Sequence, residues 1–277
     1  MVSPLTIVDV GARWGVAERW SALAPDLRVY GFDPDPEECE RLNAALGDTG
    51  GDRITEYVPS ALAATAGTMR LHVTAEPACS SMYPPVARLS RVFRELECIE
   101  QTDRIEVNVT TLDMWCADHD VEVIDFLKLD TQGSELGVLQ GAERMLGSVL
   151  VLEIEVEFNP IYEGQPLFAD IDGFLRARGF VLWRLDHLTH YSTEGPAGDD
   201  VRGISLFDSV PHETMVPGGQ LYWGHAYFVR RELCADSDQS PSAEQRRRGA
   251  AVARAGGLAD LARQIVNLTP RLHAGVT

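Results

Sequence analysis

The chain has 277 residues, 45% of them hydrophobic and 24% charged, the balance of a globular protein long enough to bury a sizeable core. Its 42 acidic against 24 basic side chains leave a net charge of −18, which argues against a nucleic-acid partner and suits a neutral or cationic small molecule. Five scattered cysteines with no CxxC pair argue against a zinc site or a disulfide framework, so a reducing cytoplasm is the expected compartment.

Residues 5–10 read as a strand, an apolar run too short for a membrane span, so no membrane partner is expected. Residues 15–23 read as a helix ended by Ala24-Pro25, and 27–32 as a second strand. Residues 37–46 read as a helix closed by Gly47, and 53–58 as a third strand. This alternation predicts parallel strands joined by crossover helices. Residues 68–73 alternate with period two and read as an added strand, 84–100 as a helix after Pro84-Pro85, and 105–109 as a short strand. The main pattern resumes with a strand at 121–129, a helix at 133–146, a strand at 149–158 and a helix at 168–178 before Gly179. Strands at 180–185 and 226–230 finish the sheet. Residues 192–203 and 209–219 are rich in Gly, Pro and polar residues and read as loops. Residues 1–234 form the expected domain, and 235–277 a linker with a helical tail broken at Gly256-Gly257. In that tail Arg246-Arg247-Arg248 reads as a solvated helix face in preference to a partner-binding patch.

Asp9-Val10-Gly11-Ala12-Arg13-Trp14-Gly15 closes the first strand and opens the first helix. Glycines there let the backbone approach a ligand. Asp9 beside that turn would repel a pyrophosphate but favours the ammonium and sulfonium of S-adenosylmethionine, and Arg13 breaks the G-x-G-x-x-G spacing. Asp33, 22 residues after Gly11, is positioned to accept hydrogen bonds from ribose hydroxyls. Its structural alternative is an N-cap for the helix near Pro36.

Lys128 is the one lysine in the chain, and every other basic side chain is arginine. A compact ammonium and a planar guanidinium are not interchangeable, so the surviving lysine marks either a position where arginine does not fit or a chance leftover of codon bias. Alternation along the strand gives Lys128 and Asp130 one face, with Cα atoms roughly 6–7 Å apart. Asp130 ends its strand, where ligands sit in open α/β sheets, with Gly133 and Glu135 just beyond. Glu153, Glu155 and Glu157 share one face of the next strand, and three carboxylates on a buried strand call for a cation. Three readings stand. A buried Lys128–Glu155 pair sets strand register, the same pair polarises a substrate hydroxyl or tunes Asp130, or a divalent metal sits among Asp130, Glu155 and Glu157. His187 and His190 after the sixth strand, and His225 before the last, are candidate bases.

Together these residues resemble the FkbM-type methyltransferases, which use S-adenosylmethionine. The matching stretches are VDVGARWG (8–15), GFDPDP (31–36), CSSMYPP (79–85), VTTLD (109–113), FLKLDTQGSELGVLQGA (126–142), LEIEVEFNPIYEGQP (152–166) and LRARGF (175–180). The resemblance spans about residues 5–231, and the run at 126–142 is its specific part. It implies a class I, Rossmann-like α/β fold. That fold is a seven-stranded, mostly parallel sheet flanked by helices with its last strand antiparallel, to which the sequence pattern adds a hairpin or lid and, outside the resemblance, the helical tail. The resemblance implies a methionine-end contact near Asp9 and Gly11, with Arg13 and Gly15 counted among the cofactor-binding residues of the same turn, a ribose contact at Asp33, an adenine contact at Ser60 and Ala61, and Asp130 beside the methyl group. Family substrates are mostly hydroxyls of secondary metabolites, sugars and glycolipids. Two departures stand out: Arg13 where a small or polar residue is usual, and His225-Ala226 where an acid commonly precedes the last strand.

The expectation is methyl transfer to a hydroxyl of a small molecule, with Asp130 as the first candidate base or orienting group. His187 or His190 comes second, and Lys128 is a charge behind them. Residues 80–100, with Met82, Tyr83, Pro84 and Phe93, form either a substrate lid or ordinary packing. The rivals are a metal-dependent methyltransferase, a nicotinamide-dependent oxidoreductase and an inactive methyltransferase fold serving as a scaffold. No metal ligand is assigned, and a homodimer is left open. Scarce lysine with abundant Ala, Arg and Gly fits a GC-rich genome and natural-product biosynthesis.

Overall fold

The computed structural model describes residues 3–23, 27–46, 54–193, 200–207 and 210–268. Its strands are β1 (Leu5–Val10), β2 (Leu27–Asp33), β3 (Ile54–Pro59), β4 (Ala61–Leu62), β5 (Gly67–Thr74), β6 (Gln101–Thr110), β7 (Phe126–Leu129), β8 (Val151–Glu157), β9 (Phe180–Tyr191), β10 (Asp200–Phe207), β11 (Val210–Pro217) and β12 (Gln220–Arg230). The helices are α1 (Pro36–Ala45), α2 (Leu89–Val92), α3 (Leu112–Asp118), α4 (Glu135–Gln140), α5 (Phe168–Arg176), α6 (Ala243–Ala255) and α7 (Ala259–Asn267).

Seven strands form the main sheet in the order β3-β2-β1-β7-β8-β12-β9, with β12 antiparallel to both neighbours. Strand order reverses between β1 and β7, and the carboxyl ends of those two strands open the crevice where α/β sheets bind ligands. β1 and β8 are buried along their whole length, as central strands covered on both faces must be. A second sheet, β4-β6-β5, stands beside the crevice, and the alternating segment predicted near residue 70 is its antiparallel strand β5.

Local signals explain several boundaries. Asp35 accepts hydrogen bonds from the backbone N–H groups of Glu37 and Glu38, and Pro36 supplies the preset φ of a first helical residue, so α1 starts there. Thr111 caps α3, and Ser242 with Gln245 forms a capping box on α6. Other boundaries moved. The helix expected at 15–23 is a 3-10 turn, Glu18–Leu23. That expected at 84–100 is the short α2 followed by a 3-10 turn. The loops expected at 192–203 and 209–219 hold an antiparallel ribbon, β10 with β11. The punctuation expected at Ala24-Pro25 and Gly47 lies outside the described residues. Among the described residues no helix is long and apolar enough to cross a membrane.

Two apolar layers sandwich the sheet. One packs Leu127, Leu129, Ile154 and Phe228 against α3, α4 and α5. The other packs Ile7, Val29, Phe126, Val151 and Val229 against Trp20, α6 and α7. The C-terminal helices thus complete the core, because without them one face of a parallel sheet would lie open. Their attachment corrects the solvated reading of the arginine run. Arg248 is buried, and its guanidinium grips Asp125 with two bonds of 2.6 and 2.5 Å while donating to the carbonyls of Ser3 and Pro4. Asp125, fully buried, also accepts the Thr6 backbone N–H, so one fork ties α6 to the amino ends of β1 and β7.

Arg248→Ala leaves the Asp125 carboxylate buried without its cation and should cost about 3–5 kcal/mol in urea unfolding. Arg247→Ala, which removes an exposed pair with Glu244, should shift the midpoint much less than Arg248→Ala.

Candidate active site

The crevice between the two strand groups is a cavity of about 780 Å³. Gly11, Arg13, Asp33, Ser60, Ala61 and Asp130 lie on its wall, and Trp14, 71% exposed, stands at its rim. Gly11 has φ +88°, and a Cβ there would sit 1.8 Å from the Asp130 carbonyl oxygen, so only glycine lets β1 turn this close to the end of β7. Arg13 reaches outward to Asp35 at 3.0 Å and towards Asp33 at 3.8 Å. Asp35 being the cap of α1, the structural alternative for Asp33 falls. Asp33 is buried on the cavity wall, accepts the Asp35 backbone N–H at 2.8 Å, and burial raises its pKa.

Gly15 and Asp9 are off the wall. Gly15 packs against Tyr57 and Leu42. Asp9, 2% exposed, lies beneath the turn and takes the Lys128 ammonium at 3.1 Å. Register explains the pairing: Asp9 on β1 is level with Lys128 on β7, which is level with Glu153 on β8. Lys128 Nζ also lies 3.5 Å from Asp130. The predicted Lys128–Glu155 pair is therefore corrected. The lysine serves Asp9 and Asp130, Arg19 pairs with Glu153, and Glu155 takes the side-chain amide of Gln132 at 2.7 Å. Burial alone would lower the Lys128 pKa, but the carboxylates of Asp9 and Asp130 outweigh it and hold the ammonium well above its usual range. For Asp9 burial wins over the nearby lysine and the pKa rises. Burial would also raise Glu153, but the His225 imidazole 3.6 Å away and the Arg19 guanidinium pull it below the usual carboxylate range.

Deeper along β8 the balance inverts. Burial first, then repulsion from Asp130 and neighbouring glutamates, pushes Glu155 well above the ordinary range. Glu157 goes the same way, with both carboxyl oxygens buried and unbonded. Glu135 is raised by burial to about 7 although its Oε1 accepts from Thr131 N, Thr131 Oγ1 and Gly133 N. Among the described residues no group of three or more His, Cys, Asp or Glu is arranged to hold a metal ion.

The candidate histidines sit elsewhere. β9 runs on to Tyr191, so His187 and His190 are strand residues, and neither lines the cavity. His187 is exposed and meets the His225 ring edge-on at 5.6 Å. His225, expected just before the last strand, lies inside β12, level with Glu155. Within residues 80–100 the named side chains part ways: Phe93 packs on Tyr191 and Tyr222 in a buried cluster, while Met82 faces the cavity.

Gln132 was overlooked by motif reading although it lies inside the quoted run. It holds φ +55°, a left-handed conformation rare for a side-chain-bearing residue, and so aims its amide back across the strand ends. Its nitrogen donates to Asp130 at 3.3 Å and Glu155 at 2.7 Å, its side-chain oxygen accepts from the Tyr162 hydroxyl at 3.0 Å, and its carbonyl accepts from Ser81 at 2.6 Å. Strand alternation carries no signal for such a turn residue.

Two outcomes check this charge pattern. Lys128→Arg would put a larger planar head between Asp9 and Asp130 and should lose about 2 kcal/mol in urea unfolding by overpacking. Glu135 stays protonated in the fold between its ordinary 4.5 and about 7 while the unfolded chain is ionised, so stability should fall as pH rises through that window. Glu135→Gln keeps the accepting oxygen and should flatten that slope in thermal unfolding from about pH 5 to about pH 7.

A profile of the methyltransferase FkbM domain matches residues 9–182. The 2-O-methyltransferase NoeI of Sinorhizobium fredii is 28% identical over 175 residues, covering 60% of this chain and 69% of that protein. Among solved structures, magnesium protoporphyrin IX methyltransferase (ChlM) from Synechocystis PCC 6803 with bound SAM is 14% identical, covering 82% of this chain and 70% of that chain with a TM-score of 0.37. TrmN from Thermus thermophilus is 12% identical, covering 82% of this chain and 44% of that chain with a TM-score of 0.32. With the profile spanning both the glycine turn and the run through Asp130, the chain belongs to the FkbM methyltransferase family.

Proposed function

We propose that the protein transfers the methyl group of S-adenosylmethionine to a hydroxyl of a small molecule. The carrying observation is that Asp33 and Asp130 line one cavity at the reversal point of the sheet, with the Gly11 turn between them. The residues fit the cofactor. Asp33 keeps one carboxylate oxygen on Asp35 and has a second for ribose hydroxyls. Ala61 and Leu62 offer an apolar wall beside Ser60, suited to a purine ring. The acidic strand ends suit a sulfonium and disfavour a phosphate.

When bound, the cofactor supplies an electrophilic methyl group. The protein's work is alignment and removal of one proton. Asp130 is the wall carboxylate available to orient the acceptor hydroxyl and take its proton as the new C–O bond forms. Gln132 and Lys128 hold its two oxygens, one each, so the carboxylate does not rotate freely. Hydroxyl specificity draws further support from the relative named as a 2-O-methyltransferase.

Isothermal titration with S-adenosylhomocysteine tests the cofactor, and Asp33→Ala should weaken binding about 10–100-fold, the loss of hydrogen bonds to a charged group. Asp130→Ala should abolish formation of S-adenosylhomocysteine from cofactor and acceptor while leaving the titration nearly unchanged. Unaltered turnover would remove Asp130 from the reaction.

A further inference from the structure

The cavity continues past Asp130 into a half with a different chemistry. Its wall there is Leu96, Ile161, Tyr191 and Trp223 with Cys79 and Cys98, all belonging to or packed on one apolar cluster at the far end of the sheet from Asp33. Several of the polar groups that border this half are already engaged, and the exposed Glu95 adds a further carboxylate. Trp223 Nε1 donates to the Tyr191 hydroxyl at 2.9 Å. The Gln132 amide is shared among Asp130, Glu155 and Tyr162. The hydroxyls of Thr131 and Ser134 donate to Glu135 and to the Thr131 carbonyl. Among the described residues on the whole cavity wall the one basic side chain is Arg13, which is bound to Asp35 at the opposite end.

This inventory discriminates between acceptors. A sugar brings several hydroxyls besides the reacting one, and in this half they would be stripped of water with few partners. A phosphate or carboxylate would meet the Asp130 carboxylate, whose lysine partner lies behind it, with no basic side chain on the wall of this half to receive the anion. A ring-bearing apolar body loses nothing there and can lie against the faces of Trp223 and Tyr191. Resting on the methyl-transfer reading for the role of the site, we infer that the acceptor is an uncharged molecule whose reacting hydroxyl projects from an apolar, ring-containing body, and that free sugars and anionic acceptors are selected against.

Direct binding tests this without knowing the natural acceptor. Three probes are titrated into the protein, with and without saturating S-adenosylhomocysteine: 1-naphthol, 1-naphthyl phosphate and methyl β-glucopyranoside. The expected result is a Kd for naphthol below about 1 mM and at least about tenfold tighter than for either other probe. Trp223→Gln should weaken naphthol about tenfold while leaving the S-adenosylhomocysteine isotherm unchanged, which also certifies the fold of the variant. Equal or tighter binding of the glucoside or the phosphate, or no naphthol binding at that concentration, overturns the inference. So does naphthol affinity indifferent to Trp223→Gln in a variant that still binds S-adenosylhomocysteine. If S-adenosylhomocysteine fails to bind the unaltered protein, the cofactor reading falls by itself, and the ranking of the three probes without it still decides the chemistry of this half.

Discussion

One ammonium organises the carboxyl edge of this sheet. Lys128 lies between Asp9 on β1 and Asp130 at the end of β7, next to Glu153 on β8, and each of those acids comes from a different strand. Buried carboxylates side by side repel one another and lose their hydration, so a row of them across adjacent strands needs an internal cation. Lysine meets this with a compact head on a long stem, and the guanidinium of Arg19 does the same one strand further along. The result is a division of labour among the acids. Asp130, held by the lysine, faces the cavity. Glu135, Glu155 and Glu157, left to burial and mutual repulsion, are pushed towards their neutral forms.

The opposite edge depends on a second ion pair of different design. Arg248 reaches from α6 to the amino ends of β1 and β7, where Asp125 has no exposure to water. Its bidentate geometry and its bonds to two backbone carbonyls leave few donors idle, which is the condition under which a buried pair holds without destabilising the fold. The two strands that define the crevice are thus held at both ends. The C-terminal helices are part of that arrangement, because they also close the second apolar face of the sheet.

Much of the site was legible because its pieces are local. The glycine turn, the acid after β2 and the run through Asp130 each sit at a strand end, and a few consecutive residues suffice to mark such a place. The cap at Asp35 was misassigned as an alternative for Asp33 by two residues, a distance at which capping preferences do not discriminate. The histidines misled because β9 continues well past the apolar run that announced it, turning expected loop residues into strand residues. Gln132 escaped because its role comes from a left-handed backbone conformation, which no periodicity encodes.

By itself the sequence determined which residues share a face of a strand and which lie at its end, since alternation and turn chemistry act over a few residues. It therefore assigned Lys128, Asp130 and the three glutamates to the right faces. Which strands lie side by side, and at what register, was decided by the tertiary structure alone. Burial of two apolar layers sets β7 between β1 and β8 with Asp9 level with Lys128, so the lysine serves Asp9 and Asp130 while the amide of Gln132 is left to meet Glu155. Pairing between strands more than 100 residues apart in the chain is a property of the packed sheet, and no local pattern in the sequence carries it.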